Sequence, residues 1–331
     1  MSRAGGDGRS GGVGTRKGHT VRRALGGTAP EKHAVVYGVP AIACAVGLRA
    51  RVRARQIDQR IVRIRSSSLG LECSCGLDKF EGPEELRPSW LIASKLARDG
   101  GGLDIEDESE IPASSGLGSS AAVSVATAAA CSKAVGLELS PEEISSVAFE
   151  AEKVVHGTPS GIDNAVSTHG GVVIYEKGKV RRLSTSVDFR LVIGHTGIDR
   201  NTGVMVDRVR RRRQRKFKVV NAILDAVAAV VEEAERCLLV GDLDCLGELM
   251  DINHGLLDAL GVNNLALHRL VCAARSAGAV GAKLTGAGGG GCMVALCRQR
   301  DVEAVCREIS REGGRPFPTQ ISMEGVSFGE G

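Results

Sequence analysis

Between residues 40 and 65 apolar and basic positions alternate, as in Arg51-Val52-Arg53-Ala54-Arg55 and Arg60-Ile61-Val62-Arg63-Ile64-Arg65. A period of two sends successive side chains to opposite faces, so this segment predicts half-buried strands with arginines on the wet face. A helix is predicted over residues 84–98, ended by Gly100-Gly101-Gly102. A short strand follows near 103–111, then a turn through 112–118 and a small-residue helix over 119–135. Ser140-Pro141-Glu142-Glu143 has the form of a capping box with proline at the first helical position, so another helix starts there. Residues 171–183 read as a hairpin turning at Lys177-Gly178, and 189–193 as one more strand. Beyond them long helical patterns (203–239, 242–260 and 263–277) alternate with strands near 279–284, 291–297 and 316–323.

The change from strand-rich to helix-rich near residue 185 marks a candidate boundary between two domains. The first, over 28–185, is strand-rich, and the second, over 186–331, is a helix-rich α+β unit. Residues 1–27 carry nine glycines and scattered arginines without periodicity, which predicts a disordered leader.

Composition narrows the class. Of 331 residues, 44 are glycine and only nine are aromatic (one Trp, two Tyr, six Phe), while 43% are hydrophobic and 25% charged. That balance excludes a collagen-like chain, a wholly disordered one and a membrane bundle. So few rings also argue against binding single-stranded nucleic acid by stacking. The ten cysteines lie largely in apolar runs of a long chain without a signal peptide, and Cys73 and Cys75 form C-x-C instead of a zinc-type pair. All ten are therefore expected to be reduced, in a cytoplasmic protein. The net charge of +4 is concentrated in a run from Arg208 to Lys218 that holds eight cations. It reads as a solvated helix face in preference to a nucleic-acid or lipid patch.

Three loops carry candidate chemistry. In the first, Pro112, Ser114, Gly116, Leu117, Gly118, Ser119 and Ser120 run into a helix. Glycines let backbone amides approach an anion, the helix start offers unpaired N–H groups, and a serine in the first turn can reach phosphate or Mg²⁺. No Gly-Lys-Ser/Thr follows, so it is not a Walker loop. Ser119 could equally be a plain helix cap. In the second loop, Glu152 ends a helix and Asp163 follows a Gly- and Pro-marked turn. Two carboxylates brought together suit phosphoryl transfer, one holding Mg²⁺ and one receiving the proton of an attacking hydroxyl. A solvated Glu152 and an Asp163 helix cap are the plain alternatives. The third, residues 283–292, satisfies G-x-G-x-x-G from Gly286 to Gly291, but a β-like run follows where a Rossmann fingerprint needs a helix. A glycine run between two strands instead lets another segment or a triphosphate approach the backbone.

Taken in order, His33-Ala34-Val35-Val36-Tyr37-Gly38, the 112–122 loop, the stretch from Glu152 through His156 and Asp163 to Thr168, and residues 283–292 resemble the mevalonate kinases of the GHMP kinase superfamily, archaeal type. The resemblance covers roughly residues 28–331. It implies the two-domain α+β GHMP fold and ATP- and Mg²⁺-dependent phosphorylation of mevalonate in isoprenoid synthesis, in a homodimer without membrane or nucleic-acid partners. It implies Asp163 as catalytic base, Glu152 and Ser120 as Mg²⁺ ligands, and the Gly116–Ser120 loop as a triphosphate cradle. Gly288 and Gly289 belong to a loop closing over the phosphates, while His33 and Thr202 line the substrate pocket. One departure stands out: Ala29-Pro30-Glu31-Lys32 joins His33 directly, about six residues short of the family pattern. Lys32 is matched to the family's catalytic lysine, with the alternative that Glu31 matches the motif's glutamate and the lysine is absent. Another GHMP small-molecule kinase, of phosphomevalonate or homoserine type, and a catalytically impaired homologue are the competing readings.

Overall fold

A computed structural model describes residues 18–26, 39–98, 100–112, 116–156, 161–176, 179–184, 189–199 and 202–328. Two sheets organise the chain. The first contains eight strands: β1 (Gly18–Gly26), β2 (Ala41–Ile57), β3 (Ile61–Ser66), β4 (Leu71–Gly76), β5 (Gly102–Ser109), β6 (Val172–Glu176), β7 (Lys179–Leu183) and β12 (Ser327–Phe328). Their order is β12-β1-β2-β5-β3-β4, and β6 pairs both β2 and β7. The long strand β2 is the hinge of this layout, because its first residues pair with β6 and its last eight with β5.

The alternation in the sequence is realised on β2 and β3. Ala50, Val52, Val62 and Ile64 are buried, while Arg51, Arg53, Arg55 and Arg65 face solvent. Across the ladder β5 supplies the opposite charge. Arg55 donates from Nε and Nη2 to Asp104 Oδ2 at 2.9 and 2.6 Å, and Arg65 pairs with Glu106 at 2.6 Å. Opposite charges on facing strands support the pairing that backbone bonds establish.

Against the inner face lie α1 (Arg87–Leu96), α2 (Ser119–Ala134) and α4 (Ile162–His169), and α3 (Pro141–His156) packs on these helices. Helix α2 is built mostly from Ala, Ser, Thr and Val and buries eleven of its 16 residues. A helix buried on nearly every side cannot show an amphipathic stripe, and small side chains let its neighbours approach closely. The predicted capping box opens α3: Glu143 N–H donates to Ser140 Oγ at 3.2 Å, and Ser140 N–H donates to Glu143 Oε2 at 2.8 Å.

The second sheet is antiparallel with order β11-β8-β10-β9, formed by β8 (Arg190–His195), β9 (Gly281–Leu284), β10 (Cys292–Cys297) and β11 (Arg315–Gln320). Pro316 and Pro318 sit on the edge strand β11, where a missing N–H costs no ladder bond. Five helices accompany this sheet: α5 (Thr202–Arg215), α6 (Phe217–Val240), α7 (Leu243–Leu260), α8 (Leu265–Ser276) and α9 (Val302–Arg311). The helical run expected over 203–239 is divided at Lys216, whose backbone leaves the helix (φ −134°, ψ 52°).

Three readings of the sequence need correction. Residues 18–26, placed in a disordered leader, form strand β1, which pairs along β2 from Ala43 to Arg53. An unpaired edge on so long a strand is a strong template, and backbone pairing there does not depend on the periodicity that the segment lacks. Helix α9 was not anticipated, and α4 only through the alternative in which Asp163 caps a helix. Nor are all ten cysteines free: Cys237 and Cys245 are bonded, brought within 6.1 Å (Cα to Cα) by the turn between α6 and α7. That separation lies within disulfide range, and only the turn, not the apolar setting of each thiol, decides it.

The basic run lies on α5 and the start of α6, as read. Several of its members are occupied with the protein. Arg212 Nη1 donates to the Ala259 carbonyl at 2.6 Å and Arg208 Nη1 to the Gly261 carbonyl at 3.2 Å, both at the C-terminal end of α7. Cations there meet the unpaired carbonyls and the negative end of the helix dipole.

Candidate active site

The proposed phosphate loop ends at Gly118, which is the N-cap of α2 in the left-handed region (φ 62°) and offers no side-chain cap. Gly116 precedes it at φ 86°, Leu117 is buried, and Pro112 is half-buried. Ser119 does not cap the helix either. Its hydroxyl donates back to the Ile111 carbonyl at 3.5 Å, which excludes the plain reading of that serine. The helix therefore opens with backbone amides that no side chain of the cap closes, the arrangement that receives an anion at a helix start.

One turn into α2 the site acquires its carboxylate. Ser120 Oγ donates to Glu152 Oε1 at 2.5 Å, and Ser124 Oγ donates to the same oxygen at 3.0 Å. Glu152 is only 5% exposed, so the alternative of a solvated helix residue does not hold. A buried carboxylate needs polar partners, and two hydroxyls one helical turn apart supply them. Ser124 was missed in the sequence, although its spacing of four from Ser120 on a helix is the signal that would have found it.

Asp163 lies in the first turn of α4, half-buried, behind an N-cap at Gly161 (φ 80°) that rests on the Phe149 ring of α3. Helix α4 packs on both α2 and α3, so the element bearing Asp163 is set against the two that bear Ser120 and Glu152. Asp163 is thus inside the helix and not its cap.

The third loop, residues 285–291, joins β9 to β10 and is held by the protein at several points. Thr285 N–H donates to the Cys292 carbonyl, Gly289 N–H to the Val262 carbonyl at 2.8 Å, and Gly291 N–H to the Ile198 carbonyl at 2.9 Å. Gly288 has φ +72°, and a Cβ there would stand 2.1 Å from the Val262 oxygen; one at Gly289 would stand 2.8 Å from Met205 Sδ. These glycines are required by neighbours within the fold, whatever else the loop receives. Met205 belongs to α5, which opens at Thr202, so the helix carrying that predicted substrate residue is set against the glycine loop. Lys32, His33 and Ser114 lie outside the described residues.

Just upstream, α7 grips the free edge of β9. Asp251 Oδ1 accepts from Ala282 N–H at 2.8 Å and from Arg275, and His254 Nδ1 accepts from Leu284 N–H at 3.2 Å. His254 is buried, and burial, followed by the charges of Arg275 and Lys283, pushes its pKa down to about 4. Neither group was singled out in the sequence, where Asp251, Asn253 and His254 look like ordinary helix residues.

Comparison with known proteins agrees with this architecture. Residues 89–171 match the GHMP kinases N terminal domain, and residues 224–315 match the GHMP kinases C terminal family. A curated mevalonate kinase from Thermococcus gammatolerans is 42% identical over 319 residues, covering 90% of this chain and 95% of that protein. Another from Pyrococcus horikoshii is 43% identical, covering 90% of this chain and 94% of its own. Among solved structures, L. major mevalonate kinase in complex with R-mevalonate superposes with a TM-score of 0.77 at 27% identity, over 93% of this chain and 95% of that one. The Methanococcus jannaschii mevalonate kinase shares the fold with a TM-score of 0.83 at 24% identity, over 94% of this chain and 99% of its own. With glycine loops, a buried serine–glutamate pair and both halves of the family in register, the chain belongs to the GHMP kinases, within the mevalonate kinase family.

Proposed function

We propose that the protein transfers the γ-phosphoryl group of ATP to the primary hydroxyl of mevalonate, giving 5-phosphomevalonate. The observation that carries this is the buried Ser120–Glu152 pair at an uncapped helix start, set against the helix that bears Asp163. In such a site catalysis is mainly positioning and charge neutralisation. The α2 amides and the 116–120 loop hold the triphosphate, with the glycine loop closing over it. Asp163 receives the proton as the substrate oxygen forms its bond to phosphorus and the bond to the β-phosphate oxygen breaks. Lys32 and His33, from the first motif, are assigned to the transferring phosphate and the mevalonate pocket, and Thr202 to the pocket's edge.

Ser120 and Glu152 fit Mg²⁺: both offer hard oxygen donors, and one carboxylate suffices because phosphate oxygens and water complete the shell. Bound there, the ion neutralises charge on the phosphoryl oxygens. No helix among the described residues is long and apolar enough to cross a membrane. The test is an ATP-coupled assay with purified protein, Mg²⁺ and mevalonate, run beside phosphomevalonate and homoserine. Turnover greatest with mevalonate supports the reading, and turnover greater with either competitor overturns the substrate. Light scattering on the same preparation tests the homodimer.

A further inference from the structure

The glycine loop between β9 and β10 is pinned from two sides. On one side stands the end of α7: Gly289 N–H donates to the Val262 carbonyl, and Gly288 approaches that same oxygen too closely for a Cβ to fit. On the other stands the chain that leaves β8. Thr196 Oγ1 donates to the Gly291 carbonyl at 2.8 Å, and Gly291 N–H donates to the Ile198 carbonyl at 2.9 Å. Met205, in the first turn of α5, completes that side and is 7% exposed. A Cβ at Gly289 would stand 2.8 Å from Met205 Sδ, 3.1 Å from Cγ and 3.2 Å from Cε, so the thioether rests directly on the backbone of the loop. Farther along, α5 is fastened to the end of α7 by Arg208 and Arg212, and its Val209 belongs to the apolar cluster that holds Leu257, Leu260 and Val262.

We infer, on the reading that places Thr202 at the edge of the alcohol pocket and the glycine loop over the phosphates, that Met205 is a positioning residue through which the bound alcohol tightens the hold on ATP. Thr202 opens the helical turn that carries Met205. A ligand held at the start of α5 and a loop held by Met205 are therefore attached to one turn of helix. Close-packed contacts do not compress, so when that turn shifts the loop must follow. Gly289 makes the link direct, because Met205 meets the main chain there and not a side chain that could swing aside. An unbranched, polarisable thioether is suited to such an irregular seat. Coupling between two ligands is reciprocal, so ATP tightens the alcohol by the same factor. Truncating Met205 removes the link and leaves the loop's own hydrogen bonds to Val262 and Ile198 in place.

The test is calorimetric titration of the full-length protein in Mg²⁺. The non-hydrolysable analogue AMP-PNP is titrated alone and with saturating mevalonate, and mevalonate alone and with saturating AMP-PNP. In the unmodified protein each ligand should tighten the other by the same factor, at least about fivefold. Met205→Ala should bring both factors below about twofold, and Met205→Leu, which keeps a long apolar side chain, should restore them. Because a ratio is read, a loss of affinity common to both states cancels, and a merely structural Met205 would leave it unmoved. Absence of coupling in the unmodified protein would overturn the proposal, and so would an undiminished factor in Met205→Ala. Met205→Val takes the place of the alanine variant if that one does not fold. The substrate reading fails separately: if turnover selects phosphomevalonate or homoserine, the factors are measured with that alcohol, and the proposal stands or falls on them.

Discussion

Acid should weaken this fold through one histidine. His254 Nδ1 accepts the Leu284 N–H one residue before the glycine loop, so the ring's single proton must sit on Nε2. Protonation would place hydrogen on Nδ1 as well and eject that bond. The pKa of the folded ring is lowered to about 4 against an ordinary 6.5; burial is the main cause, and Arg275, Lys283 and His268 add to it against Asp258. The unfolded chain therefore binds the proton first as pH falls. Stability is fully present above about pH 6.5, and it declines down to the folded value. At ~1.4 kcal/mol for each tenfold change in proton affinity, the full loss is about 3 kcal/mol, and about 2 kcal/mol of it is gone at pH 5. Urea denaturation at pH 7.5 and pH 5 measures this in the native protein and in His254→Gln, which keeps an acceptor but does not titrate. The native protein should lose about 2 kcal/mol more than the variant. Equal losses would refute the reasoning.

Three further outcomes follow from the site. Asp163→Asn should abolish turnover while ATP still binds, read by coupled assay and calorimetry; near-normal turnover would remove Asp163 from the role of base. Glu152→Gln should lower kcat at least ~10²-fold and raise the Mg²⁺ concentration needed for half-maximal rate, because a neutral amide replaces the charge that Ser120 and Ser124 address. An unchanged Mg²⁺ titration would count against the ligand assignment. Gly288→Ala should destabilise by more than ~1–2 kcal/mol, the cost of the left-handed backbone alone, since its Cβ also meets the Val262 oxygen at 2.1 Å. Wild-type stability in chemical denaturation would show that the loop is not packed as described.

Much of this was legible in the chain because it depends on local regularities. The period-two run on β2 and β3, the Ser140–Glu143 box and the glycine positions each state their backbone geometry through residue type. The site's residues were found as types in loops, but their state was not. Glu152 reads equally well as a solvated helix residue. Only the packing of α3 on α2 buries it beneath Ser120 and Ser124. Likewise β1 has no pattern of its own, and its pairing is decided by the open edge of β2.

By itself, then, the sequence determined most of the helix and strand segments (though not β1 or α9), where glycines break them, and which hydroxyls and carboxylates are available for phosphoryl transfer. The tertiary structure decided what each meets across distance: Cys237 with Cys245, Met205 with the glycine loop, His254 with the backbone of β9. The physical reason is range. Periodicity and capping act within a few residues, whereas desolvation and the partnering of buried polar groups depend on neighbours that the chain brings together only when it closes on itself.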